Sequence, residues 1–382
     1  MFSISYKFRL YPSKSQRTKM NGALDACRWV HNKTLEVRKE AWQERGESVS
    51  YYEAKRFLPV WKAEHEYLNQ AHSQSLQDAA MRVDLAFKAF FRRVKLGETP
   101  GYPRFKGRDR YNSFTFPQAY ATGVKILDKG RIRLSKIGDV KVKMHRDVVG
   151  KLKRVTVRRD SVGNWYITLS CEFEPDFSAL PAAPVKAVGV DLGLTKFAVL
   201  SNGEVIQRQR LAKRDEKDIA RLQRKKEGLP KGSVERQKAL RSLQHAYKRQ
   251  RNRRTDYAHQ ESRKLVNQYG LIVFEKLNIR DMQSDGKKVI NRGIADVAWN
   301  QFVQFTAYKA AWAGRGVVLV DPKNTTQLCS GCGEIVKKDL SVRVHDCPYC
   351  GLKIDRDHNA ALNILARGLA SIRHRPVQAQ AL

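Results

Sequence analysis

Residues 185–200, VKAVGVDLGLTKFAVL, set the tightest limits on the fold. Val185, Ala187, Val188 and Val190 make a short apolar run of the kind that fills a sheet covered on both faces. The run stops at a carboxylate, Asp191. Leu-Gly-Leu follows, and then a second apolar strand from Phe197 to Leu200. Asn202-Gly203 has the residue types of a two-residue hairpin turn, which sends the chain into a third strand over residues 204–209. An acid at a strand end beside a small-residue turn suits metal binding. For this segment alone, an ordinary hairpin whose Asp only shapes a turn is an equal alternative.

A fourth strand, residues 271–274, ends at Glu275, and a fifth spans Gly316 to Val320. A helix over 298–313, with Phe302, Phe305 and Trp312 inward, lies between them. Residues 211–268 read as helix broken at Gly228-Leu229-Pro230 and dense in Lys and Arg. With Leu240, Leu243 and Tyr247 on one side, Lys248, Arg249, Arg251, Arg253 and Arg254 read as a phosphate-facing stripe, although charge runs are usually solvated faces. In a mixed sheet with the first strand beside the fourth, Asp191 and Glu275 are neighbours at strand ends, as in an RNase H-like sheet. Asp357 opens a helix, in IDRDHNAALNIL, that packs on this edge. Asp355 competes as the third acid; Asp357 has the better claim because it directly precedes Asn359-Ala360-Ala361. The plainer roles are a helix N-cap for Asp357 and a surface acid for Glu275. Three converging carboxylates need cations, and their oxygens suit two Mg²⁺ ions that drive an in-line phosphodiester displacement.

Cys329-x2-Cys332 and Cys347-x2-Cys350, fourteen residues apart, nearly match four-cysteine ribbon spacing. Gly331, Gly333 and Gly351 stand beside the thiols, where the backbone must turn around the ion. Four filled positions predict one closed, structural Zn²⁺ site; a redox dithiol is the rival. His345 is then spare and reads as a surface or phosphate contact. Cys27 and Cys171 fall in apolar patterns and read as buried thiols.

The N-terminal half has a different pattern. Phe2, Ile4, Tyr6, Phe8 and Leu10 alternate with polar residues as in a half-buried strand. Helical stripes follow: Met20, Leu24, Cys27, Val30 and Leu35, with Arg28, Lys33 and Arg38 outside; a piece from Tyr51-Tyr52; and Leu76, Ala80, Val83, Phe87, Phe90 and Val94 over residues 72–94. They predict a helical bundle. In residues 97–117, Arg104, Lys106, Arg108 and Arg110 alternate with Phe105, Tyr111, Phe114 and Phe116. The pattern suits phosphate contact and base stacking, against a strand with core aromatics. Short strands at 124–127, 131–134, 140–144, 155–159 and 165–172 predict a small β-barrel. The first strand completes it, which makes the bundle an insertion. Residues 176–184, DFSALPAAP, read as a linker.

Charge narrows the partner. Lys and Arg number 73 against 38 Asp and Glu, a net +35. Such an excess repels itself and calls for a polyanion. Nucleic acid is favoured over an acidic membrane, with a basic ribosomal-type protein as the bland alternative. No apolar run is long enough to span a bilayer, and the N-terminus reads as a strand rather than a signal peptide. An intracellular protein is expected.

In its motifs the chain resembles the TnpB family, the RNA-guided endonucleases of small insertion sequences and relatives of type V CRISPR effectors. The resemblance rests on FRLYPSKSQ (8–16), PRFKGRDRYNSF (103–114), GVDLGL (189–194), FEKLNI (274–279), TTQLCSGCG (325–333) and CPYCGLKIDRDHNAALNIL (347–365). It implies an α/β RNase H-like RuvC nuclease domain with a four-cysteine zinc ribbon, beside a wedge β-barrel carrying a recognition helical bundle. The expected boundaries are 1–12 and 101–180 for the barrel, 13–100 for the bundle, and 185–324 and 353–370 for the nuclease domain. The basic helices at 211–268 belong to the nuclease domain, 325–352 is the ribbon and 371–382 the tail. The resemblance further implies a guide RNA from the same element, double-stranded target DNA beside a short motif, and double-strand cleavage at one RuvC site. Asp191, Glu275 and Asp357 take the positions of the family's catalytic carboxylates. Tyr52, Ser73, Gln74 and Gln77 lie in the region that reads the short motif. A monomer is favoured. A catalytically idle RNA-guided repressor and a transposase are the alternatives.

Overall fold

The computed structural model describes residues 2–119, 123–174, 186–208, 211–277, 299–339 and 341–373. The chain forms two compact units, residues 1–175 and 176–382. The expected linker, the tail beyond Arg373, and the ends of several expected elements (Gln209, Ile279 and Ala298 among them) lie outside the described residues; residues 371–373, expected as tail, continue the last helix. No helix among the described residues is long and apolar enough to cross a membrane.

In the first unit, β1 (Phe2–Tyr11) turns Ile4, Tyr6, Phe8 and Leu10 into the core. Pro12 ends it, and Ser13 starts α1 (Lys14–Arg45) through a capping box: Gln16 N–H donates to Ser13 Oγ at 3.2 Å, and Ser13 N–H to Gln16 Oε1 at 3.0 Å. Then come α2 (Tyr51–Arg56), α3 (Leu58–Glu64), a short 3-10 turn and α4 (Ser73–Lys95). The α1 stripe is buried in full. The α4 stripe is buried as far as Phe87, but Val94 is exposed, because its last turn carries Arg92, Arg93 and Lys95 and runs past α1. Arg38 is not a free outer charge: it bonds Asp84 at 3.0 Å and lies over the Phe87 ring.

Six further strands follow: β2 (Ser113–Phe116), β3 (Val124–Leu127), β4 (Arg131–Leu134), β5 (Gly138–Lys143), β6 (Lys151–Arg159) and β7 (Trp165–Phe173). With β1 they make one antiparallel sheet in the order β2-β6-β7-β1-β5-β4-β3, so β1 lies inside it, between β7 and β5. Gly123, just before β3, packs against the Phe116 ring that ends β2. The two sheet edges meet there, and the barrel is nearly closed. The stacking platform expected around 104–116 is corrected at three of its four rings. Phe114 and Phe116 are buried in this core, since β2 pairs along β6; Tyr111 is buried instead beside His31 of α1 and Arg82 of α4, while Phe105 is half exposed.

In the second unit, β8 (Ala187–Leu192), β9 (Ala198–Leu200), β10 (Val205–Ile206), β11 (Leu271–Glu275) and β12 (Gly316–Val320) form a sheet in the order β10-β9-β8-β11-β12. The first three strands meander antiparallel, and β11 and β12 run parallel to β8. That is an RNase H-like sheet. Between β10 and β11 stand α5 (Leu211–Glu227) and α6 (Val234–Gln268); α7 (Trp299–Trp312) precedes β12. One sheet face, Val188, Val190, Ile272 and Phe274, packs on Leu265 and Val266 of α6 and Phe302 of α7. The other face, with Val273 and Val320, meets Ile364 of α8 (Arg356–Arg373), which follows the small hairpin of β13 (Val344–Asp346) and β14 (Lys353–Asp355). On α6 the buried side is Ala239, Leu243, Ala246 and Gln250; Leu240 and Tyr247, expected on the apolar side, are about two-fifths exposed (41% and 42%).

Candidate active site

Side chains alternate along a strand, so Gly189 and Asp191 share one face of β8, and Val273 and Glu275 share the same face of β11. The parallel register pairs Val190 with Phe274, which sets the two acids level at the carboxyl ends of neighbouring strands. α8 covers this face. A Cβ on Gly189 would stand 2.1 Å from the Ala361 carbonyl oxygen, and one on Gly368 would stand 2.4 Å from Val273. Bare backbone at both points lets α8 lie directly on the sheet, with Asp357 in its first turn over Asp191.

The last two acids, Asp355 and Asp357, differ in what their carboxylates hold. Asp355 Oδ1 accepts the N–H groups of Asp357 and His358 at 2.9 and 3.2 Å, and its other oxygen takes Lys196 Nζ at 2.7 Å. Asp355 is therefore the N-cap. Burial alone would raise its carboxyl, but Lys196 and these N–H groups outweigh burial and hold it below its ordinary value. Asp357 is spared that task. One of its oxygens accepts from the Arg356 guanidinium at 3.1 Å, and its side chain is 14% exposed.

Burial first, then the charges of Glu275 and Asp357, push the Asp191 carboxyl well above its ordinary value, with Arg356 partly opposing them. Burial also raises Glu275, offset in part by the Thr325 hydroxyl and Arg367. Both acids are 8% exposed. Buried carboxylates that repel one another make a strong site for divalent cations, which remove the repulsion and take hard oxygen donors. Sequence reasoning did not find the support around them. Thr325 donates to Glu275, Asn363 Nδ2 to the carbonyls of Thr325 (2.9 Å) and Leu328 (2.7 Å), and Asn359 bonds Leu328 O and Ser330 N–H. The only available signal was the spacing of the two Asn, one helical turn apart behind Asp357.

The four Sγ atoms of Cys329, Cys332, Cys347 and Cys350 lie within 4.8 Å of one another, and Cys329–Cys350 and Cys332–Cys347 are each 3.6 Å apart. A tetrahedron with bonds of about 2.3 Å has edges of about 3.8 Å, so the thiols fit one Zn²⁺. The two halves match. Gly333 N–H donates to Cys329 O and Gly351 N–H to Cys347 O, both at 2.9 Å, and both glycines have positive φ (83° and 73°). His345 is corrected: it is fully buried beside Lys338, not a surface contact, because β13 turns it under the ribbon.

Residues 168–285 match the family described as "Probable transposase" (OrfB_IS605), 299–364 the Cas12f1-like TNB domain, and 1–47 a helix-turn-helix domain of the same OrfB group. A Streptomyces pristinaespiralis protein is 34% identical over 96% of this chain and 90% of its own length. InsQ of Escherichia coli K12 is 33% identical over 96% and 92%. Both carry the name "Putative RNA-guided DNA endonuclease". The chain belongs to the TnpB family. A Cas12f1 endodeoxyribonuclease of Sulfoacidibacillus thermotolerans is 29% identical over 54% of this chain and 51% of its own. Among solved structures, a Cas12f1–guide RNA–target DNA complex aligns over 96% of this chain and 99% of that one, with a TM-score of 0.33 and 17% identity.

The polar residues selected against this TnpB background are spread out. Tyr52 is 73% exposed; Ser73 is exposed beside Lys62 (3.3 Å). Gln74 is half-buried and donates to Gln118 at 2.9 Å, and Gln77 is half-buried. Arg104 and Arg110 are exposed, as is Arg108, which pairs with Asp25 at 3.8 Å. The Lys106 backbone is clamped by Asn32 through both its N–H and its carbonyl. On α6, Arg249 and Arg251 are exposed, and Lys248 and Arg254 half-buried. Arg253 departs from the expected stripe, because its guanidinium holds both oxygens of Asp215 at 2.7 and 2.8 Å and so ties α6 to α5.

Proposed function

We propose that this protein is an RNA-guided DNA endonuclease that hydrolyses phosphodiester bonds at Asp191, Glu275 and Asp357. The observation that carries this reading is the gathering of three carboxyl groups from distant parts of the chain, with Glu275 and Asp357 acting electrostatically on a buried Asp191. The names of the two long relatives agree with it. The three acids would hold two Mg²⁺ through carboxylate oxygens. When bound, such ions supply an activated water and stabilise the leaving 3′ oxygen. The chain's own part is positional. The sheet register levels Asp191 with Glu275, α8 delivers Asp357, the Asp355 cap frees it, and burial keeps bulk water from competing for the carboxylates. The net charge of +35 suits a protein that grips a guide RNA and a target duplex by their phosphates while base pairing reads sequence. On this reading a short motif beside the target is read by the first unit, and both strands are cut at the one centre.

The test is a plasmid carrying a matched target, incubated with the purified protein–RNA complex and Mg²⁺. Linear product is expected. Asp191→Ala should abolish it while RNA-dependent target binding persists. Binding with no cut by the wild type would make the protein a guided repressor, and strand-transfer products would make it a transposase.

A further inference from the structure

Thr325 lies within the turn that follows β12, and its side chain reaches back to the acidic centre. It is 2% exposed. Its hydroxyl donates to Glu275 Oε1 and has the Pro322 carbonyl at 3.1 Å as a second acceptor. A hydroxyl has one proton, so an ionised Glu275 takes it and Oε1 is committed to Thr325. The backbone of Thr325 is itself fixed. Its carbonyl accepts from Asn363 Nδ2 at 2.9 Å, and the same nitrogen reaches Leu328 O at 2.7 Å. Asn359, four residues earlier on α8, bonds Leu328 O at 2.7 Å and the Ser330 N–H at 2.9 Å. Leu328 and Ser330 flank the zinc ligand Cys329. The helix that carries Asp357 therefore also clamps the segment that carries Thr325.

We infer that Thr325 is a positioning residue for the divalent-cation centre: it locks the Glu275 carboxylate in one rotamer with Oε2 turned toward the cations. Its own place is set by Asn359 and Asn363 at the foot of the zinc ribbon. This rests on the reading of Asp191, Glu275 and Asp357 as cation ligands. Glu275 is the last residue of β11, and among the described residues the Thr325 hydroxyl donates a hydrogen bond to its carboxylate. Loss of that hydroxyl leaves a carboxylate that must be ordered when the ion arrives, which weakens binding even though no ligand has been removed.

The experiment titrates Mn²⁺, as a probe of the centre, into the full-length zinc-loaded protein and follows free Mn²⁺ by electron paramagnetic resonance. Removing a hydrogen-bond partner of a metal ligand typically weakens affinity by about 10–100-fold, so Thr325→Val should fall in the lower part of that range and Thr325→Ser should stay within about twofold of wild type. Thr325→Ala serves in place of the valine variant if that one does not fold, and zinc content and thermal unfolding are read on every sample. Wild-type Mn²⁺ affinity in a folded Thr325→Val or Thr325→Ala protein would overturn the inference. So would equal losses in the serine and valine variants, or loss of zinc along with Mn²⁺ affinity, since Thr325 would then only support the ribbon. Glu275→Gln separates the two readings. If it leaves Mn²⁺ affinity unchanged, the cation centre itself is wrong. If it weakens binding and the threonine variants do not, only the role of Thr325 falls.

Discussion

Asp355 and Asp357 are two residues apart and chemically alike, and the structure gives them different work. Asp355→Ala removes a helix cap and should cost about 1 kcal/mol of stability with cutting reduced but present; denaturant unfolding and plasmid cleavage check this. Asp357→Asn should leave the cap in place and abolish cutting. Asp191 permits a sharper test. Its folded-state carboxyl is raised above the unfolded value, so the metal-free native state holds its proton over a pH range where the unfolded chain has lost it. Stability attributable to this group is present below the ordinary carboxylate range and falls as pH rises toward the raised value. At neutral pH in EDTA, Asp191→Asn should therefore melt higher than wild type, and Mg²⁺ should raise the wild-type melting temperature more than the variant's. A lower melting temperature for the variant in EDTA would contradict the assigned repulsion. The placement of Asp191 and Glu275 at the carboxyl ends of neighbouring strands was legible in sequence because each follows an apolar run. Thr325 and the two Asn were not, since a polar residue after a strand or on a helix has no pattern until the segment it holds is seen.

Elements were legible where one period ran unbroken. β3, β4 and β12 match the sequence reading end for end, and α5 and α6 break where Gly228-Leu229-Pro230 said they would. The failures share a cause. Phe114 and Phe116 alternate with polar residues both in a half-buried strand and in a base-stacking surface, and only the pairing of β2 with β6 decides for the core. Arg253 sits in a run of cations, and only the partner helix shows that it belongs to Asp215. Two cations of one run should then behave differently. Replacing Arg249 and Arg251 together with Gln should flatten the salt dependence of RNA binding by about 1.4–1.8 in log–log slope if each meets one phosphate, at about 0.7–0.9 per contact. Arg253→Gln should leave that slope unchanged and lower stability instead. Equal slopes for wild type and the double variant would remove α6 from the RNA-facing surface. Gly189→Ala tests the other face: a methyl group cannot enter against the Ala361 carbonyl, so α8 must shift, at a cost of about 1–3 kcal/mol and with loss of cutting.

At the scale of the molecule, the sign of the salt effect distinguishes the free protein from its complex. A net +35 on 382 residues repels itself, and exposed charges interact over a Debye length of about 10 Å at 0.1 M salt, shrinking to about 3 Å at 1 M. The unfolded chain spreads the same charge over a larger volume, so screening helps the compact state more than the expanded one. The free protein should therefore melt at a higher temperature as salt rises from low to moderate concentration. Bound RNA reverses this. The polyanion neutralises the excess and, by binding the native state, raises its stability logarithmically with free RNA concentration over Kd. Salt then dissociates the complex by restoring the counterion atmosphere of the RNA, and the melting temperature should fall as salt rises. Thermal unfolding with and without RNA, across one salt series, should give slopes of opposite sign. Parallel slopes would mean that the charge is already balanced within the fold, and the argument from charge to a polyanionic partner would lose its physical basis.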